Sequence, residues 1–248
     1  MEQGRSHLPT SPVAKSEQLP DAPIVRRFVG LNGRKISYLA VGGSGAGTRP
    51  TVLLIRGSGV SVRSWTNQLH GLGHALRVLA IDLPGHGESD AISEVRLETY
   101  ANTVRGVLDA LGTGPVFAAG NSLGGAVALL LAARHPDAVT GLVLVSTCAR
   151  LPESNGFLES LYPYLPASIR KHLFFSMTKK IQFAPTAPRQ AILLGMEEIR
   201  SCRPETILKD LAVARAMDLQ DVAPGIRVPT LILCGGRDKL TGPALAER

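Results

Sequence analysis

The stretch with the clearest chemical meaning is Gly120-Asn121-Ser122-Leu123-Gly124-Gly125. A serine with a glycine two residues away on each side is the pattern of a nucleophile elbow, a sharp turn that holds a serine hydroxyl clear of the edge of a sheet. The apolar residues 116–119 before it favour a buried strand, and the small apolar residues 126–133 after it favour a helix. The sequence therefore predicts a strand–turn–helix unit with Ser122 at the turn.

A plain strand–loop–helix connection, such as one that binds phosphate, is the alternative interpretation of this stretch. The elbow is favoured because a sharp turn needs glycines where side chains would collide with the neighbouring strand and helix. A helix that begins at the serine also directs free N–H groups and the positive end of its dipole toward an oxyanion formed there. The chemistry that the unit predicts is nucleophilic catalysis by Ser122.

The elements that must position this serine follow from the rest of the chain. Residues 1–23 are rich in Ser, Pro and charge and predict a flexible leader. Two strand-like runs, 24–29 and 35–41, predict a hairpin around the glycines at 30–33. Further strands are predicted at 51–55, 77–82, 116–119 and 141–146, and helices at 64–76, 94–111 and 126–134. Over residues 24–149 this alternation predicts an α/β fold, a mainly parallel sheet with helices on both faces.

The alternation stops over residues 150–225, which are rich in proline. Helical stretches are predicted there at 157–161, 167–177, 190–200 and 205–217. We expect a helical insertion between two strands that lies over the strand ends as a lid. Its apolar residues, among them Phe157 and Tyr162, either line a substrate pocket or pack the insertion onto the sheet. Residues 226–248 then resume the sheet.

Composition excludes several classes of function. Of the 248 residues 44% are hydrophobic, and no apolar run of about 18 residues predicts a membrane span. The net charge is +7, but the basic residues are spread along the chain, so that we expect solvated surface charge and no nucleic-acid partner. The three cysteines have neither metal-ligand spacing nor a paired framework. We expect buried thiols, no metal, no cofactor and a cytoplasmic location.

Four stretches, in this order, resemble the α/β-hydrolase family. They are Arg56-Gly57-Ser58-Gly59-Val60-Ser61 with Ser64-Trp65, Asp82-Leu83-Pro84-Gly85-His86-Gly87-Glu88-Ser89, Gly120-Asn121-Ser122-Leu123-Gly124-Gly125, and Val228-Pro229-Thr230-Leu231 through Gly235-Gly236-Arg237-Asp238. Their joint occurrence over residues 25–248 is far more specific than the elbow alone. The resemblance implies a serine hydrolase that cleaves a small apolar ester through an acyl-enzyme.

The resemblance also implies roles for individual residues. Ser122 is the expected nucleophile and Asp238 the acid that orients the base, although Asp238 taken alone also suits a turn or a helix N-cap. The expected oxyanion donors are the backbone N–H groups of Leu123 and Ser58. The residues expected to contact substrate are Gly57, Trp65, Phe157 and Tyr162.

Two features depart from the family's pattern. Arg56 stands where the family usually has a histidine before the glycine of the oxyanion loop, so we expect a cation beside the pocket. The family's base histidine follows one more strand after the acid. Only ten residues follow Asp238, and none is a histidine. We therefore expect a truncated hydrolase without its last strand, base and final helix, nearly inactive, with an apolar edge exposed at residues 231–233.

No other histidine is expected to replace the base. His86 falls at the active-site end of the sheet, but the resemblance makes it a structural loop residue. The remaining histidines are expected to be surface or packing residues, namely His7, His70, His74, His135 and His172.

Other functions stay open at this point. The same elbow suits hydrolases of carbon–carbon bonds in ring-cleavage products, in which Arg56 would hold a substrate carboxylate, and cofactor-free perhydrolases. A non-catalytic ligand-binding member of the family is a third alternative, against which the intact Ser122 argues weakly. The oligomeric state is not predicted.

Overall fold

The strands of the protein form one sheet in a computed structural model that describes residues 23–42, 49–152 and 166–246. They are β1 (Val25–Leu31), β2 (Arg34–Val41), β3 (Thr51–Ile55), β4 (Arg77–Ile81), β5 (Val116–Asn121), β6 (Val139–Val145) and β7 (Thr230–Leu233). Their order is β1-β2-β4-β3-β5-β6-β7. The β1–β2 hairpin is antiparallel and joins β4 antiparallel, whereas all other neighbours are parallel. The predicted α/β fold with a mainly parallel sheet is confirmed.

Helices cover both faces of this sheet. They are α1 (Thr66–Gly73), α2 (Leu97–Ala110), α3 (Leu123–Arg134), α4 (Ala167–Gln182), α5 (Arg189–Ser201), α6 (Pro204–Ala216) and the short α7 (Pro243–Ala246). A 3-10 turn at Val62–Trp65 precedes α1. The larger core packs α2 and α3 against one face, and a smaller core packs α1 against the other. None of the described helices is both long enough and apolar enough to cross a membrane.

Successive side chains of the central strands belong alternately to the two cores. In β3, Leu53 and Ile55 belong to the larger core, and Leu54 between them belongs to the smaller one. Side chains of a strand point alternately to its two faces, so a strand covered on both sides must be apolar throughout. This explains why the central strands are continuous apolar runs in the sequence.

The outer strand β7 is less covered than the central strands. The side chains of Leu231, Ile232 and Leu233 are about half exposed, and Phe117 of β5 is 43% exposed. An apolar edge was expected at residues 231–233, and β7 presents one.

Helices α4, α5 and α6 occupy the chain between β6 and β7, close to the three predicted stretches at 167–177, 190–200 and 205–217. The fourth predicted stretch lies outside the described residues, as do Phe157, Tyr162 and almost all of the predicted leader. Met196 and Ile199 of α5 pack on Val60. Thr206 of α6 donates its hydroxyl to the Gly85 carbonyl oxygen at 3.0 Å. The inserted helices therefore contact the loops after β3 and β4, and their action as a lid stays a prediction.

The cysteines differ in burial from the expectation. Cys148 is buried, but Cys202 and Cys234 are partly exposed, so the prediction of buried thiols is wrong for two of the three. Among the described residues, no group of three or more His, Cys, Asp or Glu side chains is arranged to hold a metal ion.

A buried carboxylate connects the loops around the site. The Asp82 side chain is fully buried, and its Oδ1 accepts the N–H of Val62 at 2.9 Å while its Oδ2 accepts Arg26 Nη1 at 3.0 Å. Gly87 has φ +46°, and a Cβ there would lie 2.4 Å from Asp82 Oδ2. One charge thus joins the β1–β2 hairpin, the loop after β3 and the loop after β4, and the glycine lets the backbone close around it.

Replacement of this carboxylate tests its role. We expect Asp82→Ala to lower the free energy of unfolding by about 3 kcal/mol, because it removes the acceptor of the buried Val62 N–H and the buried partner of the Arg26 charge. Asp90→Ala is the control on the same loop, where the exposed carboxylate accepts only the Lys35 N–H at 2.7 Å; its cost should be about 1 kcal/mol. Urea unfolding of both variants gives the comparison, and equal losses would contradict the assignment.

Candidate active site

The carboxyl ends of β5, β6 and β7 bring Ser122 and Asp238 to the same edge of the sheet. The Ser122 N–H donates to the Val145 carbonyl at 2.9 Å, and the Ser146 N–H donates to the Leu233 carbonyl at 2.8 Å. The Ser146 side chain contributes to the lowered pKa of the Asp238 carboxyl. Two residues more than a hundred positions apart in the chain are thereby linked through neighbouring strand ends, as parallel pairing requires.

Ser122 has the backbone geometry of a sharp turn. Its φ is +52° and its ψ is −123°, a backbone conformation that residues other than glycine rarely adopt. A Cβ at Gly120 would lie 2.2 Å from the Gly124 carbonyl oxygen, and a Cβ at Gly124 would lie 2.3 Å from the Ile55 carbonyl oxygen. The turn therefore requires both glycines of the motif, and the predicted strand–turn–helix unit is confirmed.

The predicted oxyanion donors flank the serine. Leu123 is the first residue of α3, so its N–H has no acceptor within the helix. A Cβ at Gly57 would lie 3.0 Å from both the Ser122 Cβ and the Asn121 carbonyl oxygen. The backbone just before Ser58 therefore runs directly against the serine, which requires glycine at position 57. Their function as oxyanion donors stays a prediction.

Asp238 performs the turn-capping role that was its alternative interpretation. Its Oδ1 accepts the N–H groups of Leu240 and Thr241, both at 2.9 Å, and its Oδ2 accepts the Thr241 hydroxyl at 3.0 Å. Partial burial alone would raise the pKa of Asp238, but these donors outweigh it and hold the pKa below its usual range. The carboxylate is therefore fixed in place and charged at neutral pH, which suits an orienting acid as well as a cap.

Arg56 is the first residue after β3, and its side chain is the cation that the sequence predicted in this loop. Its guanidinium carbon lies 5.4 Å from the centre of the Trp65 ring, which is buried. Burial lowers the pKa of Arg56 to about 10, against the opposing effect of the Glu198 charge, so the side chain is protonated at neutral pH. The Ser61 hydroxyl donates to Glu198 Oε2 at 2.6 Å. The sequence held no signal for this contact between α5 and the loop, because 137 residues separate the partners.

His86 belongs to a buried, hydrogen-bonded cluster. Its Nε2 lies 2.8 Å from Asp210 Oδ2, and the Tyr100 hydroxyl donates to Asp210 Oδ1 at 2.6 Å. All three side chains are buried. Within the described part of the chain, no histidine is a hydrogen-bond partner of Ser122 or Asp238. The cluster joins the loop after β4 and helix α2 to α6, and the sequence motif around His86 gave no hint of Asp210.

A groove lies between α4 and α5. Its volume is about 570 Å³, and its lining is mixed apolar and basic. Its lining includes Phe175, one of the apolar residues of the insertion that were expected to line a pocket or to pack on the sheet, but none of Ser122, Leu123, Gly57, Ser58, Trp65 or Asp238. The residues that line it are His172, Phe175, Ser176, Lys179, Ile192, Leu193, Met196 and Arg200.

Comparisons with known proteins agree with the fold. Residues 50–248 match the family described as the alpha/beta hydrolase fold, and the chain belongs to this family. A pimeloyl-[acyl-carrier protein] methyl ester esterase of Neisseria meningitidis is 32% identical over 178 residues, which are 68% of this chain and 68% of that protein. A 2-hydroxy-6-oxononadienedioate/2-hydroxy-6-oxononatrienedioate hydrolase of a Pseudomonas species is 29% identical over 177 residues, 65% of this chain and 60% of that one.

A solved structure gives the same result for the fold. The enol-lactonase of Burkholderia xenovorans superposes with a TM-score of 0.80 at 25% identity, covering 89% of this chain and 85% of the enzyme. The relatives named here are hydrolases and a lactonase, and this chain is a hydrolase of the same family.

The close packing at the turn can be tested with single methyl groups. We expect Gly124→Ala to lower the free energy of unfolding by about 2 to 3 kcal/mol, because its Cβ meets the backbone of β3, which cannot move aside. Gly71→Ala is the matched control, because Gly71 occupies an exposed position of α1 and nothing lies within 4 Å of its Cβ position. This substitution should be neutral or stabilising. Urea denaturation measures both, and a tolerated alanine at 124 would refute the packing argument.

The buried cluster at His86 predicts a pH dependence of stability. Burial lowers the pKa of His86, but the Asp210 carboxylate outweighs it and raises the pKa above its ordinary value. The stabilisation is therefore complete below about pH 6.5, the unfolded value, and is lost as the pH rises through the folded pKa. We expect the free energy of unfolding to fall above about pH 6.5 and to fall less in Asp210→Asn.

A control separates this cluster from other titrating groups. His70 is exposed on α1, so His70→Gln should leave the pH dependence of the wild-type chain unchanged. Urea unfolding at a series of pH values supplies the comparison. The same slope in wild type and Asp210→Asn would show that this pair does not control stability.

Proposed function

We propose that the chain cleaves carboxylic ester bonds through an acyl-enzyme on Ser122. The observation that carries this proposal is the backbone of Ser122, held at φ +52° at the start of α3 with Gly57 packed against it. Strain of this kind persists only where the surrounding structure enforces it, and it exposes a hydroxyl beside free N–H groups. The esterase among the relatives supports the same reaction class.

Each residue has one role in the proposed reaction. The Ser122 Oγ attacks the carbonyl carbon and gives its proton to a base, while the N–H groups of Leu123 and Ser58 bind the oxyanion. Collapse of this intermediate expels the alcohol, which takes up a proton, and water then releases the acid from Ser122. Asp238 is proposed as the carboxylate that orients the base. Gly57 and Trp65 are proposed to contact the substrate, and the inserted helices are proposed to cover it as a lid.

The proposed reaction needs a general base for the Ser122 proton. A histidine base contributes about 10² to 10⁴-fold to reactions of this kind. The described residues give Ser122 no histidine partner, and His86 is held by Asp210. We therefore propose that this chain turns over slowly, with water or hydroxide taking the serine proton.

Carbon–carbon bond hydrolysis is the second candidate. Arg56 favours it, because a protonated guanidinium near the serine suits a substrate that carries a carboxylate. One relative is named as a hydrolase of such a dioate. A ligand-binding protein without catalysis is less favoured, because binding alone gives no reason for a strained serine.

An external base tests the proposed function. We expect slow hydrolysis of p-nitrophenyl butyrate by the purified chain, with a rate that rises through pH 6 to 8 without a plateau. Imidazole should raise the enzyme-dependent rate by at least about tenfold, since it can take the serine proton in place of a histidine side chain. Ser122→Ala is the background control, because it retains the solution reaction with imidazole.

Three outcomes would contradict parts of the proposal. Equal rates for wild type and Ser122→Ala would remove Ser122 as the nucleophile. An ordinary enzymatic rate that imidazole does not change would show that the chain already contains a base. Faster turnover of a dienoate ring-cleavage product than of the ester would favour carbon–carbon bond hydrolysis.

A further inference from the structure

Three buried polar atoms in the segment beside Ser122 have no hydrogen-bond partner within the described residues. They are Arg56 Nε, Ser58 Oγ and Trp65 Nε1. Two of them are donors only, and the hydroxyl can donate as well. Native proteins rarely leave buried donors unpaired, so each such group calls for an explanation, and a bound ligand that supplies the acceptor is one. Their occurrence within ten residues of one loop points to a polar ligand there.

The charge of this loop is positive. Arg56 is protonated at neutral pH, and among the described residues no carboxylate forms an ion pair with it. Glu198 is the acidic residue whose charge acts on Arg56. However, Glu198 Oε2 already accepts the Ser61 hydroxyl at 2.6 Å and the Ser61 N–H at 3.3 Å. The guanidinium therefore retains donors for an anion, and a cation removed from water favours one strongly.

The position of Arg56 connects this cation to the reaction. Gly57 follows it, and a Cβ at Gly57 would lie 3.0 Å from the Ser122 Cβ. Consecutive Cα atoms are 3.8 Å apart, so the Arg56 Cα lies within about 8 Å of the Ser122 Cβ. The backbone that carries the guanidinium therefore lies close to the serine.

We propose that Arg56 and Trp65 form a subsite for a carboxylate on the acyl chain of the substrate, so that half-esters of dicarboxylic acids are preferred. The assignment of ester cleavage rests on the proposed function, whereas the binding subsite does not. A carboxylate matches the planar guanidinium, which donates two parallel N–H bonds to its oxygens. The Trp65 N–H supplies a further donor, and its ring, already in contact with Arg56, offers apolar surface to the chain of the acid.

Fluorescence tests binding without turnover. Trp65 is the one tryptophan of the sequence, so its emission reports on this loop. In a Ser122→Ala background, titration with monomethyl adipate should change the emission saturably, and methyl hexanoate, the neutral match, should bind at least about tenfold more weakly. Arg56→Gln should weaken binding of monomethyl adipate by about tenfold or more, and added salt should weaken it in the wild type.

A nearby arginine gives the matched control. Arg63 is exposed and lies two residues from Trp65, so Arg63→Gln removes the same charge without touching the proposed subsite. It should retain the affinity of the parent, and Arg56→Lys should recover part of what Arg56→Gln loses. Equal effects of Arg56→Gln and Arg63→Gln, or equal affinity for the charged and neutral esters, would overturn the subsite.

Kinetics with imidazole present separate the two proposals. Arg56→Gln should raise KM for monomethyl succinate, adipate or suberate by about tenfold at the best chain length, with kcat and the neutral esters little changed. If no ester is cleaved but the fluorescence response depends on Arg56, the proposed function fails and the subsite stands. If esters are cleaved and Arg56→Gln changes neither KM nor the response, the subsite fails and the function stands.

Discussion

The structure depends on how closely three backbone segments approach one another around Ser122. At Gly120, Gly124 and Gly57 a single methyl group would meet backbone or Cβ atoms at 2.2 to 3.0 Å. Atoms at such distances cannot be accommodated by side-chain movement, so β3, the loop after it and the start of α3 are locked together. The positive φ of Ser122 is the conformational cost of that packing, and the surrounding sheet offsets it.

Buried carboxylates fix the loops that this packing leaves free. Asp82 joins the β1–β2 hairpin to the loops after β3 and β4, and Asp210 joins α6 to His86 and Tyr100. Glu198 anchors α5 to Ser61 in the same manner. In each case a buried or partly buried acid is stabilised by donors from distant segments, and removal of either partner would leave an uncompensated polar group. The inserted helices are therefore connected to the loops after β3 and β4 by polar contacts as well as by apolar packing.

Two loops at this edge of the sheet carry opposite charges. Asp238 is held as a carboxylate by the turn that it caps, and Arg56 is held as a cation beside Trp65. Electrostatic interactions in such partly buried positions are weakly screened by salt, so these charges affect the binding energy of any charged group at this edge.

The sequence by itself determined the α/β class, most strands and the strand–turn–helix unit at Ser122, because apolar periodicity and glycine positions are local properties of the chain. The start of α2 was expected at residue 94 but lies at Leu97, since Arg96 is extended and no side chain caps the helix. Short motifs that occur in a fixed order likewise made Asp238 and Arg56 candidates, and their roles stay predictions.

Only the tertiary structure decided which distant groups meet. The pairing of His86 with Asp210 spans 124 residues, and that of Ser61 with Glu198 spans 137. No local pattern encodes such contacts, because they arise from where helices of the insertion settle on the sheet and not from the spacing of residues within a helix or strand. The sequence likewise could not indicate that, among the described residues, the buried donors of Arg56 and Trp65 have no partner, because burial is a property of the packed chain.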